Sequence, residues 1–320
     1  MRLSEHPEFE QAIIRAAKHF ASQGLRPAFI EKDYYVTEAL RTIAQVGGDK
    51  VIFKGGTSLS KGWNLIQRFS EDIDLFLDTQ AFDPPLGTNA IDRELKKLRD
   101  SIIKGVQVTF LKEESRTFGG HGRNDWFSYA QKFGGQGEVA GRILLEAGIA
   151  SGREPTVTVQ LQSYLGQFMQ ETGVSLGAED EKSFSMRLLH FRRTFVEKMF
   201  AIHKRVELFK KQGLPIGSYA RHYYDLSQLA GREEVLSMLK SNEYAEIKAD
   251  YDRISRKYFP DYYSYPADMK FSNSDALFPS EEFSKAIGTQ YNEQCKLLCY
   301  GPYPEWNEVM LHFTKLRHLL

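Results

Sequence analysis

The sequence contains little cysteine, no excess of either charge and no long apolar run. The two cysteines, Cys295 and Cys299, stand four residues apart with no second Cys or His pair nearby, which suits neither a zinc site nor a disulfide framework. The N-terminal residues are charged, and no apolar run approaches the ~18 residues that a membrane helix needs. These absences predict a protein of a reducing compartment, the cytoplasm, that does not enter a membrane.

Charge of one sign is also missing overall, because 42 basic and 42 acidic side chains cancel among the 320 residues. This balance excludes a protein that coats nucleic acid through bulk positive charge. A disordered chain is excluded as well, since 42% of the residues are apolar and 22 are Phe. At about 150 residues per domain, the length predicts two domains.

The periodicity of the apolar residues changes along the chain, which supports a mixed α/β domain over 1–165 and a helical domain over 166–320. From about residue 183 the patterns are nearly all helical. The glycine-rich segment 118–142 is either a plain hairpin or a mobile flap. The elements predicted as far as residue 149 are helices over 7–23, 29–45, 58–67 and 89–104, and strands over 51–53, 73–78, 106–111, 126–133 and 143–149.

Two carboxylates carry the strongest chemical information. Asp72 and Asp74 are two residues apart at a predicted strand, so both point to one face, about 6.6 Å apart along the chain. Like charges so placed disfavour joint ionisation unless a partner neutralises them. Mg²⁺ removes this conflict, since it prefers oxygen ligands and is held by carboxylates together with substrate phosphates.

A short turn precedes this pair. Gly55-Gly56-Thr57-Ser58 follows a predicted strand and opens a helix, where free backbone N–H groups and hydroxyls can cradle a phosphate. Because Lys61 follows Ser60, the segment is not a Walker A loop. Turn and carboxylates together indicate a bound nucleoside triphosphate (NTP).

These residues resemble the nucleotidyltransferase superfamily with the pol-β-like core. The longer strings KGGTSLSK, RFSEDIDL and EKDYYV are similar to the AbiEii/AbiGii toxin branch, which includes the MenT-type toxins. The resemblance implies a mixed twisted sheet followed by a C-terminal helical domain. It also implies that Gly56 and Ser58 bind phosphate and that Asp72 and Asp74 bind metal.

The resemblance further implies a third carboxylate on a neighbouring strand, for which Glu146 is the candidate. A lone Glu in an apolar strand is unfavourable unless it is paired or metal-bound. The alternative is a salt bridge to Arg142 or Arg153.

Charge is segregated along the chain. Residues 187–221 hold nine Lys or Arg against Glu197 and Glu207, a net of +7 that leaves −7 elsewhere. Such a segment suits an anionic substrate, although a solvated helix face is the simpler interpretation. Lys198 falls on the apolar seam of the predicted helix, so it must reach solvent or meet a buried anion.

The resemblance places Lys198 in a third motif, on the nucleotide phosphates, and Asp225 in a fourth. For Asp225 the alternative is an Arg221–Asp225 helical pair. Ser70 precedes the acidic pair, and its phosphorylation would place negative charge beside the metal site and block it. Further phosphate-binding candidates are Lys32, Lys54, Lys61 and Arg68.

The function implied by the resemblance is transfer of a nucleoside monophosphate from an NTP, with one or two Mg²⁺ ions, to RNA, the tRNA 3′ end being the first choice. The protein would be a toxin or phage-defence component silenced by a separately encoded antitoxin. Two alternatives stay open: transfer to a protein hydroxyl, and a non-catalytic nucleotide-binding module. The presence of every acidic position argues against the second.

Overall fold

The structure is a computed structural model that describes residues 1–70, 72–134, 139–260 and 269–320. The chain forms two compact units, Met1–Trp63 with Phe69–Leu189 and Asn64–Arg68 with His190–Leu320. Residue 71, residues 135–138 of the glycine-rich segment and residues 261–268 lie outside the described residues.

The first unit is built on a mixed sheet in the order β3-β5-β6-β2-β1-β8-β7, with β4 beside β5. β2 runs parallel to β6 and β1 parallel to β8, and the other neighbours are antiparallel. The strands are β1 Val51–Lys54, β2 Asp72–Leu77, β3 Thr109–Phe110, β4 Arg116–Phe118, β5 Gly122–Ser128, β6 Arg142–Gly148, β7 Thr156–Leu161 and β8 Phe184–Leu189.

Helices cover this sheet with apolar stripes. Ile91, Leu95, Leu98 and Ile102 recur at intervals of three and four residues in α4 and are buried, as expected of a helix that packs on a core. The helices of the unit are α1 Phe9–His19, α2 Pro27–Gly47, α3 Gly55–Thr57, α4 Thr88–Gly105 and α5 Tyr164–Thr172. α3 continues as a π-helical turn over Ser58–Gly62.

The second unit is helical. Its longest helix, α6, ends at Gly213, whose φ of 67° is the left-handed conformation that favours glycine at a helix end. The helices are α6 Phe191–Gln212, α7 Arg221–Ala230, α8 Glu233–Leu239, α9 Asn242–Tyr258, α10 Glu281–Leu298 and α11 Trp306–Leu316. Across the described ranges, none of the helices combines the length and apolar character required to cross a bilayer.

The helical pattern expected from residue 183 is wrong at its start, because Phe184–Leu189 is strand β8 and pairs with β7 and β1. Leu188 continues the 3–4 spacing of the following helix, which conceals the strand. This pairing also holds the first unit together as far as Leu189, beyond the boundary expected near 165. The helix expected over 58–67 ends at Gly62.

Candidate active site

A row of polar side chains crosses four neighbouring strands. Lys54 on β1 pairs with Asp74 on β2, Asp74 with Glu146 on β6, and Glu146 with Asn124 on β5. Paired residues project to the same face of a sheet, and Asp72, two residues before Asp74, shares that face. The register therefore brings the three predicted carboxylates, Asp72, Asp74 and Glu146, onto one patch.

The electrostatics of Glu146 reflect this crowding. Burial, followed by the charges of Asp74 and Asp72, raises the pKa of Glu146 to about 7, although Lys54 acts in the opposite direction. The Nδ2 of Asn124 donates a hydrogen bond of 2.7 Å to Oε1 of Glu146. An amide thus orients Glu146, and two neighbouring acids disfavour its ionisation.

The two arginines considered as salt-bridge partners of Glu146 pair with other carboxylates. Arg142 pairs with Glu114, and Nη2 of Arg153 lies 2.8 Å from Oδ2 of Asp78. The acidic patch is consequently not explained by an arginine on its own strand. Oxygen donors in such excess of negative charge are the set that a hard divalent cation prefers.

A preformed metal centre would require the carboxylates to converge on one point as well as to share a face. Among the residues described, no three His, Cys, Asp or Glu side chains converge as closely as the ligands of a bound metal ion. The donor chemistry fits Mg²⁺, and the charges of Asp74 and Asp72, after burial, raise the pKa of Glu146 at the patch.

The glycine turn packs directly against this patch. Gly55 has a φ of 77°, and a Cβ atom at this position would lie only 1.8 Å from Oδ2 of Asp74. Thr57 Oγ1 donates to the carbonyl oxygen of Asp72 at 2.5 Å, and Ser58 Oγ donates to that of Gly55 at 2.9 Å. Gly56, which lies between Gly55 and Thr57, is buried. The two hydroxyls tie the turn together and to the start of β2.

Two of the predicted phosphate ligands have protein partners in the first unit. Lys61 Nζ lies 2.7 Å from Oδ1 of Asp33, and Lys32 Nζ donates to the carbonyl oxygen of Ala140 at 2.9 Å. Both ammonium groups anchor elements of the unit to one another. Ser70 is 8% exposed, so a kinase reaches its hydroxyl only after a local opening. Its phosphorylation stays a prediction.

A second ionic cluster lies within the helical unit and contains the other candidates. Arg68 donates to both carboxylate oxygens of Asp225, at 2.6 and 2.7 Å, and Lys198 Nζ lies 2.7 Å from Oδ2. Burial opposes ionisation of Asp225, but the charges of Arg68 and Lys198 outweigh it and hold its pKa well below the usual range. Asp225 is therefore shared by two cations and is not reserved for Arg221.

The environment of Lys198 completes this cluster. Its side chain is 7% exposed, and burial lowers its pKa. His222 Nδ1 lies 3.2 Å from Lys198 Nζ, and burial followed by the charge of Lys198 lowers the pKa of His222 to about 3. The buried anion expected opposite Lys198 is thus present as Asp225, and the action of Lys198 on phosphates stays a prediction.

The basic segment 187–221 is less open than its net charge indicates. Arg193 pairs with Glu197 and Asp250, and Lys210 pairs with Glu207 and with Asp275. Much of the positive charge is therefore balanced within the helical unit, which supports the simpler interpretation of a charged helix face.

Comparison with protein families decides the assignment. The chain matches the family model described as nucleotidyl transferase AbiEii toxin, type IV toxin–antitoxin system, over residues 38–306. The chain belongs to the AbiEii family. It is accordingly a nucleotidyltransferase toxin that uses an NTP and has an antitoxin as its partner in the system. Membership supports an enzyme over the non-catalytic module and confirms the family that the motifs resembled.

Other comparisons add less to this AbiEii member. The crystal structure of JHP933 from Helicobacter pylori aligns with a TM-score of 0.41 and 16% identity, covering 89% of this chain and 90% of that one. No curated protein matches the sequence significantly.

Sequence reasoning missed Asn124 and the exact neighbours of Asp225. Asn124 stands in the strand Gly122–Ser128, whose side chains alternate between half-buried and buried positions, but the sequence does not show which strand lies beside it. Arg68 lies 157 residues from Asp225, and no local pattern connects them. In the sequence, only the position of Arg68 beside the acidic motif indicated that it has an ionic partner.

Proposed function

We propose that this AbiEii member transfers a nucleoside monophosphate from an NTP to RNA, with the tRNA 3′ end as the first acceptor to test. The observation that carries the proposal is the cross-strand row in which Asp74 and Glu146 are direct neighbours and Asp72 shares their face. Transfer to RNA makes a phosphodiester bond and releases pyrophosphate. The triphosphate and the RNA that meet at the patch are both negatively charged.

Asp72 and Asp74, with Glu146 beside them, would hold Mg²⁺. Bound there, the metal would neutralise phosphate charge and act as a Lewis acid on the phosphoryl oxygens. The backbone of the Gly55–Thr57 turn, held against Asp74, would position the phosphates, and Lys54 would add a positive charge in the same row.

The protein's own part in the proton transfer is assigned to Glu146. Glu146 lies beside Asp74 in the row, where a carboxylate within hydrogen-bond reach of the acceptor hydroxyl can act as a general base. The acceptor hydroxyl oxygen attacks the α-phosphorus, its proton passes to Glu146, and the bond to the β-phosphate oxygen breaks. Asn124 holds the Glu146 carboxylate by one oxygen, Oε1.

The test is to incubate the enzyme and Asp74→Asn with each α-labelled NTP, Mg²⁺, total RNA and cell extract. We expect label on RNA with the wild-type enzyme and none with the variant. Label on a protein would replace RNA by a protein hydroxyl as acceptor. RNA labelling that persists in Asp74→Asn would remove Asp74 from the reaction.

A further inference from the structure

A basic cleft lies in the first unit, at the edge of the sheet that carries the carboxylate row. It has a volume of about 460 Å³, within the range of ligand-binding clefts. The residues that line it come from α4, β3, β4, β5 and the turn between β3 and β4: Lys96, Arg99, Ile103, Phe110, Lys112, Ser115, Arg116, Thr117 and Arg123.

The charge of this cleft has one sign, since five of its lining residues are Lys or Arg and none is acidic. Three of the cations have carboxylate partners outside the lining: Lys96 pairs with Asp92, Arg99 with Asp100, and Arg123 with Asp125 and Asp92. These pairs balance part of the charge and hold Arg123, which is 5% exposed, in place.

Lys112 and Arg116 differ from the other three. Both are exposed, and neither has an ionic partner among the residues that the structure describes. They lie four residues apart on the β3–β4 edge, so two positive charges are directed at the cleft mouth without an internal anion. An external anion is the group that this arrangement lacks.

The cleft also offers an aromatic surface. The guanidinium carbon of Arg99 lies 5.1 Å from the centre of the half-buried Phe110 ring, and Ile103 beside them is 39% exposed. Grooves that combine cations for the backbone with an aromatic or guanidinium plane for the bases are typical of single-stranded nucleic-acid binding. A lone phosphate would not need this apolar floor.

Arg116 lies between the cleft and the carboxylates, because the other strand residues of the cleft, Phe110, Thr117 and Arg123, project to the opposite face of the sheet. It pairs with Asn124 across β4 and β5, which extends the row of Asn124, Glu146 and Asp74 by one strand. Three strand spacings separate β4 from β2, roughly 14 Å. A strand of RNA whose end reacts at Asp74 therefore has its neighbouring phosphates within reach of Arg116.

We propose that this cleft binds the sugar–phosphate backbone of the RNA acceptor where the strand passes from the carboxylate face round the β4 edge, a few nucleotides from its reacting end. The inference rests on the proposed function, because it assigns the docking site of that acceptor. Lys112 and Arg116 contact phosphates, and the Arg99–Phe110 pair supports a base. The cleft sets affinity for RNA and leaves the chemistry to the carboxylate row.

The experiment compares two charge-reversal variants of the full chain. Lys112→Glu/Arg116→Glu changes the cleft, while Lys97→Glu/Lys104→Glu makes the same charge change on α4 outside its lining. Binding of a fluorescent 12-nucleotide single-stranded RNA and of tRNA is measured by anisotropy over a salt series, and KM and kcat are measured for RNA and NTP.

We expect the cleft variant to bind RNA roughly tenfold more weakly than the control at low salt. The slope of log K against log[salt] should fall by about 1.4, because each of the two phosphates that is no longer neutralised accounts for about 0.7 on a single strand. The KM for NTP and the kcat at saturating RNA stay at control values. If the cleft variant unfolds, Lys112→Gln/Arg116→Gln replaces it.

Two failures are distinguishable. If the wild-type enzyme never labels RNA, the proposed function is wrong. If it labels RNA and both variants share one affinity and one salt slope, only the cleft assignment is wrong. Competition by polyglutamate as effective as that by RNA would also overturn the assignment and indicate an acidic protein ligand.

Discussion

The two ionic clusters of this AbiEii member use similar residues in opposite ways. In the sheet unit, Asp72, Asp74 and Glu146 crowd on one face, and the pKa of Glu146 rises to about 7. In the helical unit, a carboxylate that is fully buried has its pKa held well below the usual range by two cations. Burial alone disfavours the ionised form of both Glu146 and Asp225, so the charges of their neighbours decide whether the pKa rises or falls.

This difference shows which of the two clusters is electrically neutralised by the protein itself. Asp225 is neutralised within the protein, as expected of a group whose removal costs stability. The acids of the sheet crowd on one face, and Glu146 among them binds its proton more tightly, as expected of a group that a cation or substrate completes. Four variants test this distinction, from the largest expected effect to the smallest.

Asp74→Asn gives the largest effect. We expect nucleotidyl transfer to fall about 10³-fold, because the metal's stabilisation of phosphoryl charge is worth several kcal/mol and each 1.36 kcal/mol is tenfold in rate. The melting temperature in metal-free buffer should not fall, since a repulsion is removed. Initial rates and a thermal scan measure the two quantities. Near wild-type activity would show that the acidic patch is not the reaction centre.

Asp225→Asn should act on stability. It leaves Arg68 and Lys198 buried without their carboxylate, and breaking a buried pair in this way costs about 3–5 kcal/mol of unfolding free energy. Urea unfolding measures the loss. The control is Glu281→Gln, which breaks the exposed Lys285–Glu281 pair and should cost below about 0.5 kcal/mol. Equal stabilities for the two variants would contradict a self-neutralised cluster.

Glu146→Gln tests the raised pKa through pH. A carboxyl whose pKa is raised by folding destabilises the native state once it must ionise, so this penalty is absent below about pH 4.5 and complete above about pH 7. In metal-free buffer we expect the variant to gain up to about 3 kcal/mol over wild type by pH 8, with little difference at pH 4.5.

Unfolding of both proteins in urea at several pH values measures this difference. Contributions from other groups, including Glu38, whose pKa burial also raises to about 7, cancel between wild type and variant. A stability difference that does not change with pH would mean that the acids of the sheet do not interact as their register indicates.

Gly55→Ala should lose at least the about 1–2 kcal/mol of unfolding free energy that the left-handed backbone costs, and it should lose activity because the new Cβ displaces Asp74. Gly213→Ala is the matched control: its φ is 67°, and nothing lies within 4 Å of the position of the added Cβ. The control should lose only the cost of the left-handed backbone and keep its activity. Equal activities in both variants would show that the packing of the glycine turn against Asp74 does not matter for the reaction.

The local elements of the site followed from the sequence. Alternation of acidic and apolar residues predicted β2 with both aspartates on one face, and two glycines after a short apolar strand predicted the turn. These features depend on neighbours within a few residues. Strand β8 escaped prediction because Leu188 suits both the period of a strand and the following helix.

What lay beyond the sequence required contacts between distant segments. The motifs determined the family, the carboxylate pair and the turn, since each is encoded in one short stretch. Only the tertiary structure decided that Glu146 neighbours Asp74, that Asn124 orients Glu146, and that Asp225 is neutralised by Arg68. A carboxylate's pKa depends on which charges surround it in space, and strand order and helix packing place those charges.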